Sequence, residues 1–181
     1  MLTSVILLFV LPPLALTFSP TPVLPLSALP TTFTSASHPQ DPTAELQIRN
    51  TLSLYPLIID GKAFEHLDLV FTRDVYANYS APLGVLNGTD ALAVTLQKSL
   101  EPVDTQHLLG TCVVQFLGKD DARTVTYFQA SHFGRGLFNG QVLYAYGAYD
   151  DSWVKVGKAW RVRQRSLVHY GPGIGNVSIF S

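Results

Sequence analysis

Two histidines in this chain, His107 and His132, stand where hairpin geometry brings side chains together. They lie in Thr105–Leu117 and Ala122–Phe133, stretches rich in Val, Thr, Phe and Tyr that read as β-strands. Between them, Gly118-Lys119-Asp120-Asp121 is a turn-forming quartet. Pairing Leu117 with Ala122 carries the ladder back to His107 directly opposite His132. Directly opposed residues share one sheet face, with Cβ atoms about 5 Å apart. A single bulge would break that register. An imidazole has an unperturbed pKa of about 6.5, so two of them flanking a substrate could shuttle its proton near neutral pH.

The neighbouring elements decide what surrounds the pair. Asn139-Gly140 is a strong two-residue hairpin signal, and pairing Phe138 with Gln141 would put Gly147 opposite His132, leaving room beside the imidazole. A last strand, Ala159–Tyr170, follows a turn at Gly157-Lys158. Pairing Val156 with Ala159 places Trp160 on the face of His132 and turns Arg161, Arg163 and Arg165 outward; a one-residue shift inverts this. Ahead of the strands come helical patterns. Thr43 can cap a helix with Leu46, Ile48, Leu52 and Leu54 inward, which must kink or restart at Pro56 and stops at Asp60-Gly61. Lys62–Phe71 reads as a second short helix, Asp74–Tyr79 as a short strand, and Ala91–Leu100 as a third helix capped by Thr89 or Asp90. Helices followed by a long antiparallel meander give an α+β fold, whose curved sheet makes a cone with a pocket inside.

Composition narrows the classes. In 181 residues the net charge is −1 and charged residues make up only 14%, which argues against a nucleic-acid partner. Leu2–Leu16 is apolar, interrupted by Pro12 and Pro13, and short for a membrane span. We read 1–19 as a signal peptide, 20–42 as an extended Pro/Ser/Thr-rich linker and 43–181 as the domain. The chain would then be secreted or retained in the secretory pathway, with no stable membrane insertion after cleavage. The sequons at Asn78, Asn87 and Asn176 would accept N-glycans there. The lone Cys112 reads as a buried, inert thiol. His66 and His169 read as an exposed helix histidine and a strand-end histidine without chemistry, and Asp150 and Asp151 as bend residues. No Cys/His cluster has metal-site spacing, no Gly-rich loop cradles a phosphate, and no Gly-x-Ser-x-Gly elbow occurs. The chemistry expected is cofactor-free.

A series of motifs carries a family resemblance: Tyr55 ahead of Asp60, Phe71-Thr72-Arg73-Asp74, Gly88-Thr89-Asp90-Ala91, Thr105-Gln106-His107, Ala130-Ser131-His132, Gly147-Ala148-Tyr149-Asp150 and Trp160-Arg161-Val162. In order and spacing this resembles the SnoaL-like branch of the NTF2-like superfamily, the branch of the scytalone and bile-acid dehydratases. The resemblance runs from about Thr43 to Tyr170 and implies an NTF2-like cone, a strongly curved antiparallel sheet whose pocket is closed by N-terminal helices. It implies His107, His132, Tyr55 and Asp60 as the catalytic set, with Tyr76 or Tyr79 a further polarising tyrosine. The expected activity is that of a lyase (dehydratase), isomerase or cyclase on an apolar natural-product intermediate, as in fungal-type secondary metabolism. In that scheme His132 removes a proton α to a carbonyl, His107 holds or protonates the departing oxygen, and Tyr55, backed by Asp60, orients the substrate. Phe128, Tyr149, Trp153 and Trp160 would exclude water. Two other readings keep the pocket: a shape-directed pericyclic cyclase without proton transfer, and a secreted non-catalytic protein that binds a hydrophobic ligand. The resemblance also implies a homodimer or trimer, pairing through the outer sheet face.

Overall fold

The computed structural model describes residues 19–34 and 41–181. The leader expected at the N-terminus lies outside the described residues apart from Ser19, as does His38 of the linker. Among the described residues no helix is long and apolar enough to cross a membrane.

The first long element is α2, Pro42–Asp60, following a one-turn helix α1, Leu29–Thr32. The Asp41 side chain accepts from the Ala44 N–H, and Pro42 sits where no intrahelical donor is needed. The helix neither kinks into two nor restarts at Pro56 but continues to Asp60. Proline removes one hydrogen bond and crowds the carbonyl four residues back, at a cost of about 3 kcal/mol. Ile48, Leu52, Tyr55, Ile58 and Ile59 are all buried on the sheet, at about 1.5–3 kcal/mol for each fully buried large side chain, and this outweighs it. The expected second helix is instead a 3-10 helix, Phe64–Leu69, and chain extension begins early, in β1, Phe71–Asn78. A short β2, Val85–Asn87, leads to α3, Thr89–Leu100. Gly88, at φ +84°, is the N-cap of α3, and no side chain caps it.

Four long strands complete the fold: β3, Val103–Phe116; β4, Asp121–Gly134; β5, Val142–Val156; and β6, Ala159–His169. A short β7, Ile174–Gly175, and a 3-10 turn, Val177–Phe180, end the chain. Sheet order is β2-β1-β6-β5-β4-β3, with β7 beside β5. The β1–β6 pair is parallel and the others antiparallel. Helices α2 and α3 cover the inner face, so the fold is the expected α+β cone.

Three registers depart from expectation. The β3–β4 turn closes one residue tighter, with the Leu117 N–H donating to Asp121 O, and a bulge between Leu109 and Cys112 slips the ladder once more. His132 therefore faces Thr105, and His107 faces Ala130. Two single slips restore side-chain parity, so the histidines share a face as diagonal neighbours. The β4–β5 connection is not the two-residue Asn-Gly hairpin. A 3-10 turn at Gly136–Phe138 widens it, placing Leu143 opposite His132 and Gly147 opposite Phe128. In β6 the Val156–Ala159 pairing holds, but the β5–β6 ladder shifts between Ser152 and Trp153 and leaves Arg163 over as a bulge. Parity flips there. Trp160 and Val162 point inward before it, and Arg165 points inward after it, not outward with Arg161 and Arg163.

The Pro/Ser/Thr-rich stretch is not a free linker over its described part. Extended chain from Ser19, a 3-10 turn at Leu26–Ala28 and α1 lie across the outer face of the sheet.

Candidate functional site

Inside the cone lies a cavity of about 740 Å³, lined by Tyr55, Tyr79, His107, Phe128, Ala130, His132, Leu143, Ala145, Tyr149, Leu167, His169 and Phe180, among others. The small side chains of Ala130 and Ala145, paired across β4 and β5, form its floor. Apolar side chains from α2, α3 and the loop before β2 form the opposite wall.

Asp60, the last residue of α2, meets β3 at one end of this cavity. One carboxylate oxygen accepts from His107 Nδ1 at 2.7 Å and from the Thr105 hydroxyl at 2.8 Å, while the other accepts the His107 backbone N–H at 2.7 Å. Burial alone would raise this carboxyl; the hydrogen bonds from the His107 ring and backbone, its charge and the Thr105 hydroxyl bring it below the usual range. A carboxylate only accepts, so His107 carries a proton on Nδ1, and the neutral form of this cavity-lining ring has its lone pair on Nε2.

His132 stands beside it, with ring centroids 5.8 Å apart and planes at 83°. Its Nδ1 lies 3.2 Å from the Leu143 carbonyl oxygen, so that nitrogen donates and Nε2 is again bare. Burial, followed by the proximity of His107, lowers the His132 pKa to about 4. This imidazole is neutral at physiological pH, an acceptor and not a proton donor. Phe180, from the C-terminal turn, packs edge-on against it and shields that end.

The other end is phenolic. The hydroxyls of Tyr55 and Tyr79 lie 2.7 Å apart, both side chains are buried, and burial raises both phenols, which therefore stay protonated. Beneath them Arg165 lies over the rings of Tyr55 at 4.2 Å and Tyr149 at 4.1 Å, and makes a two-pronged ion pair with Asp151 at 2.8 and 2.7 Å. Both partners of that pair are fully buried.

The expected set is thus only partly drawn together. Asp60, His107 and His132 form one cluster. Tyr55 shares the cavity, but its partner is Tyr79, and Asp60 stands behind His107 instead of behind Tyr55. The five-residue offset on one helix, about 140° of rotation, keeps the two apart. Of the two further tyrosines, Tyr79 lines the cavity and Tyr76 does not. Phe128 and Tyr149 stack at 4.6 Å in the wall, whereas Trp153 and Trp160 are core residues away from it, with Trp153 donating to Thr124 and Trp160 packed on Phe116. His169, read as inert, lines the cavity beside Phe128, and Asp151, read as a bend residue, holds Arg165. The inward parity of His169 and Arg165 was hidden by the bulge at Arg163. Among the described residues no cluster of His, Cys, Asp or Glu could hold a metal.

Residues 40–166 match the model of the SnoaL-like domain. The chain belongs to the SnoaL-like family. It is 31% identical over 125 residues to the uncharacterized protein Rv2910c of Mycobacterium tuberculosis, covering 66% of this chain and 81% of that protein. Among solved structures, this SnoaL-like chain is similar to the Kfla4162 protein of Kribbella flavida, with TM-score 0.66, 19% identity and coverage of 71% of this chain and 92% of that one. It is also similar to a scytalone-dehydratase-like protein of Novosphingobium aromaticivorans, at TM-score 0.64, 22% identity and coverage of 73% and 87%. A hexachlorocyclohexane dehydrochlorinase, LinA type 2, aligns at TM-score 0.64 and 14% identity over 77% of this chain and 93% of that one. These likenesses establish a SnoaL-like, NTF2-like fold shared with dehydratase-like proteins.

Proposed function

We propose that this SnoaL-like protein is a cofactor-free acid–base lyase that dehydrates an apolar, carbonyl-containing natural-product intermediate. The observation that carries the reading is the Asp60–His107 pair, whose imidazole lines an apolar cavity. Relative to the sequence expectation the two histidines exchange roles. His107 Nε2 takes the proton α to the carbonyl, and Asp60 stabilises the imidazolium that forms. The Tyr55–Tyr79 hydroxyl pair spends one proton on its own hydrogen bond and has the other to donate to the carbonyl oxygen as negative charge grows on it. His132, neutral, accepts from the substrate hydroxyl and orients it. As the new C=C bond forms and the C–O bond breaks, the hydroxyl takes the proton back from His107 and departs as water. His107 returns to its neutral form, so atoms and charge balance without a further reactant. The same first step with the proton returned to carbon would be an isomerisation.

The leader-like N-terminus and the sequon at exposed Asn87 support a secretory setting for this reaction. The test is comparative metabolite mass spectrometry on the producing organism. Cells deleted for the gene are complemented with the parent protein or with His107→Ala. An intermediate heavier than the product by one water, accumulating in both the deletion and the variant, is the expected result. An equal-mass intermediate would replace dehydration by isomerisation or cyclisation. Full rescue by His107→Ala would leave only shape-directed cyclisation or ligand binding.

A further inference from the structure

The strap from Ser19 to Thr34 is held on the outer sheet face by side chains reading its backbone. Gln164 grips Thr21 from both sides: the Thr21 N–H donates to Oε1 at 2.7 Å, and Nε2 donates to the Thr21 carbonyl at 2.8 Å. Arg123 Nη2 donates to the Pro22 carbonyl at 2.7 Å, and the Leu24 N–H donates to Asp150 Oδ2 at 3.2 Å. Arg123 and Asp150 are themselves locked together at 2.8 and 2.7 Å, so this part of the clamp is pre-set by a contact within the sheet. Further along, Gln115 Nε2 donates to the Thr32 carbonyl at 3.2 Å. Gln164, Asp150 and Gln115 are buried, each at 8% exposure or less.

The pattern of donors in the strap matches this clamp. The two N–H groups used belong to Thr21 and Leu24, and the prolines stand at 20, 22 and 25, where no donor is drawn on. Pro25 has φ −64° and ψ 141°, the polyproline II conformation, which proline holds in advance and at little entropic cost. Beside the clamp an apolar groove of about 360 Å³ runs between Leu24 and Leu29 of the strap and Val125, Ala148, Val168 and Tyr170 of the sheet. Such a site reads backbone polarity and proline spacing more than side-chain identity.

We propose that the outer face of the sheet is a docking groove for an extended, proline-interrupted peptide, filled in cis by this chain's own strap. Its partner in trans is a segment of the same chemistry, with free N–H groups three residues apart and prolines flanking them. The groove lies on the face opposite the cavity, so it is independent of the proposed lyase chemistry.

The test uses the full chain. Thr21→Pro with Leu24→Pro deletes the two donors of the strap and leaves the sheet untouched. The probe is a fluorescein-labelled synthetic peptide of residues 19–34, followed by anisotropy. The parent chain should ignore the probe because its groove is filled, and the double-proline chain should capture it. Adding Gln164→Leu removes two hydrogen bonds and should weaken capture about thirtyfold. A probe carrying the same two prolines should not bind. In the otherwise parent chain, Gln164→Leu alone should speed hydrogen exchange at Thr21 and Leu24, which keeps the proposal testable if the double-proline chain fails to fold. An opened chain that ignores the probe, or that pairs with a second copy through the bare face instead, overturns it. So does exchange unchanged by Gln164→Leu.

Discussion

Replacing Asp60 with asparagine separates a base held by a carboxylate from a buried pair of merely structural value. The two oxygens of Asp60 accept three donors: the His107 ring N–H, the His107 backbone N–H and the Thr105 hydroxyl. A carboxamide has one oxygen. If that oxygen stays toward the ring and Thr105, the new NH₂ group confronts the backbone N–H of His107, donor against donor. If the amide turns over, its oxygen takes the backbone N–H and its NH₂ donates to His107 Nδ1. The Thr105 hydroxyl can rotate to suit, so the second arrangement is preferred. It forces the His107 proton onto Nε2, and the lone pair there is gone. Loss of a correctly held tautomer costs on the order of 10³–10⁴ in turnover, about 4–5.5 kcal/mol of barrier. The stability cost is smaller. The lost hydrogen bonds are charge-assisted, but the Asp60 side chain is 21% exposed, so we expect about 2 kcal/mol. Long-range ¹H–¹⁵N correlation spectra of histidine-labelled protein read the tautomer without any substrate, and complementation of the deleted organism reads the turnover. His107 keeping its proton on Nδ1 in the Asp60→Asn protein, with product formation intact, would refute the assignment.

Three more outcomes follow from the same geometry. His132 is depressed to about 4 in the fold against about 6.5 unfolded, so the unfolded chain binds the extra proton between those values. Stability should therefore fall by on the order of 2–3 kcal/mol as pH drops from 6.5 to 4, and His132→Phe should remove this step from the denaturant midpoints measured across that range. A histidine NMR titration with its midpoint near 6.5 would contradict it. Arg165→Met strands the buried Asp151 carboxylate and should cost about 3–5 kcal/mol, whereas Arg165→Met with Asp151→Leu should recover most of it; thermal melts of the single and double variants decide this. Gly147→Ala would press a Cβ to 2.1 Å from the Val168 carbonyl oxygen and 2.9 Å from the Phe128 ring. A loss of about 2–3 kcal/mol in urea melts is expected, and a neutral effect would mean the β5–β6 spacing yields easily.

Much of this fold was legible from residue types alone. Strand composition, turn quartets and helical periodicity located the long elements to within a few residues, because periodicity and turn chemistry are local properties. They also fixed the order of helices and meander, hence the cone. The caps, however, are Asp41 and Gly88 where Thr43 and Thr89 or Asp90 were expected. The histidine pair was legible on its face but not in its register: one tighter turn and one bulge cancelled in parity, so the correct face came with the wrong partners. Where only one slip occurred, at Arg163, parity inverted: Arg165 went from supposed surface to interior, and His169 came onto the cavity side of the sheet. A bulge is a compromise between strands that have already met, and no residue within the strand announces it.

What the sequence by itself determined is the set of groups available: imidazoles, phenols and a carboxylate, in a sparsely charged, apolar chain. Tertiary structure alone decided the partnerships. Asp60 serves His107 because α2 runs unbroken through Pro56 and delivers its last residue against β3, while Tyr55, part of a turn off in phase, finds Tyr79 and Arg165. The proline-rich segment looked like solvated linker because no core pattern marks it. It is ordered by buried side chains about 80 to 140 residues away in sequence that satisfy its backbone. Such contacts are set by distance in space, which composition and local spacing do not encode.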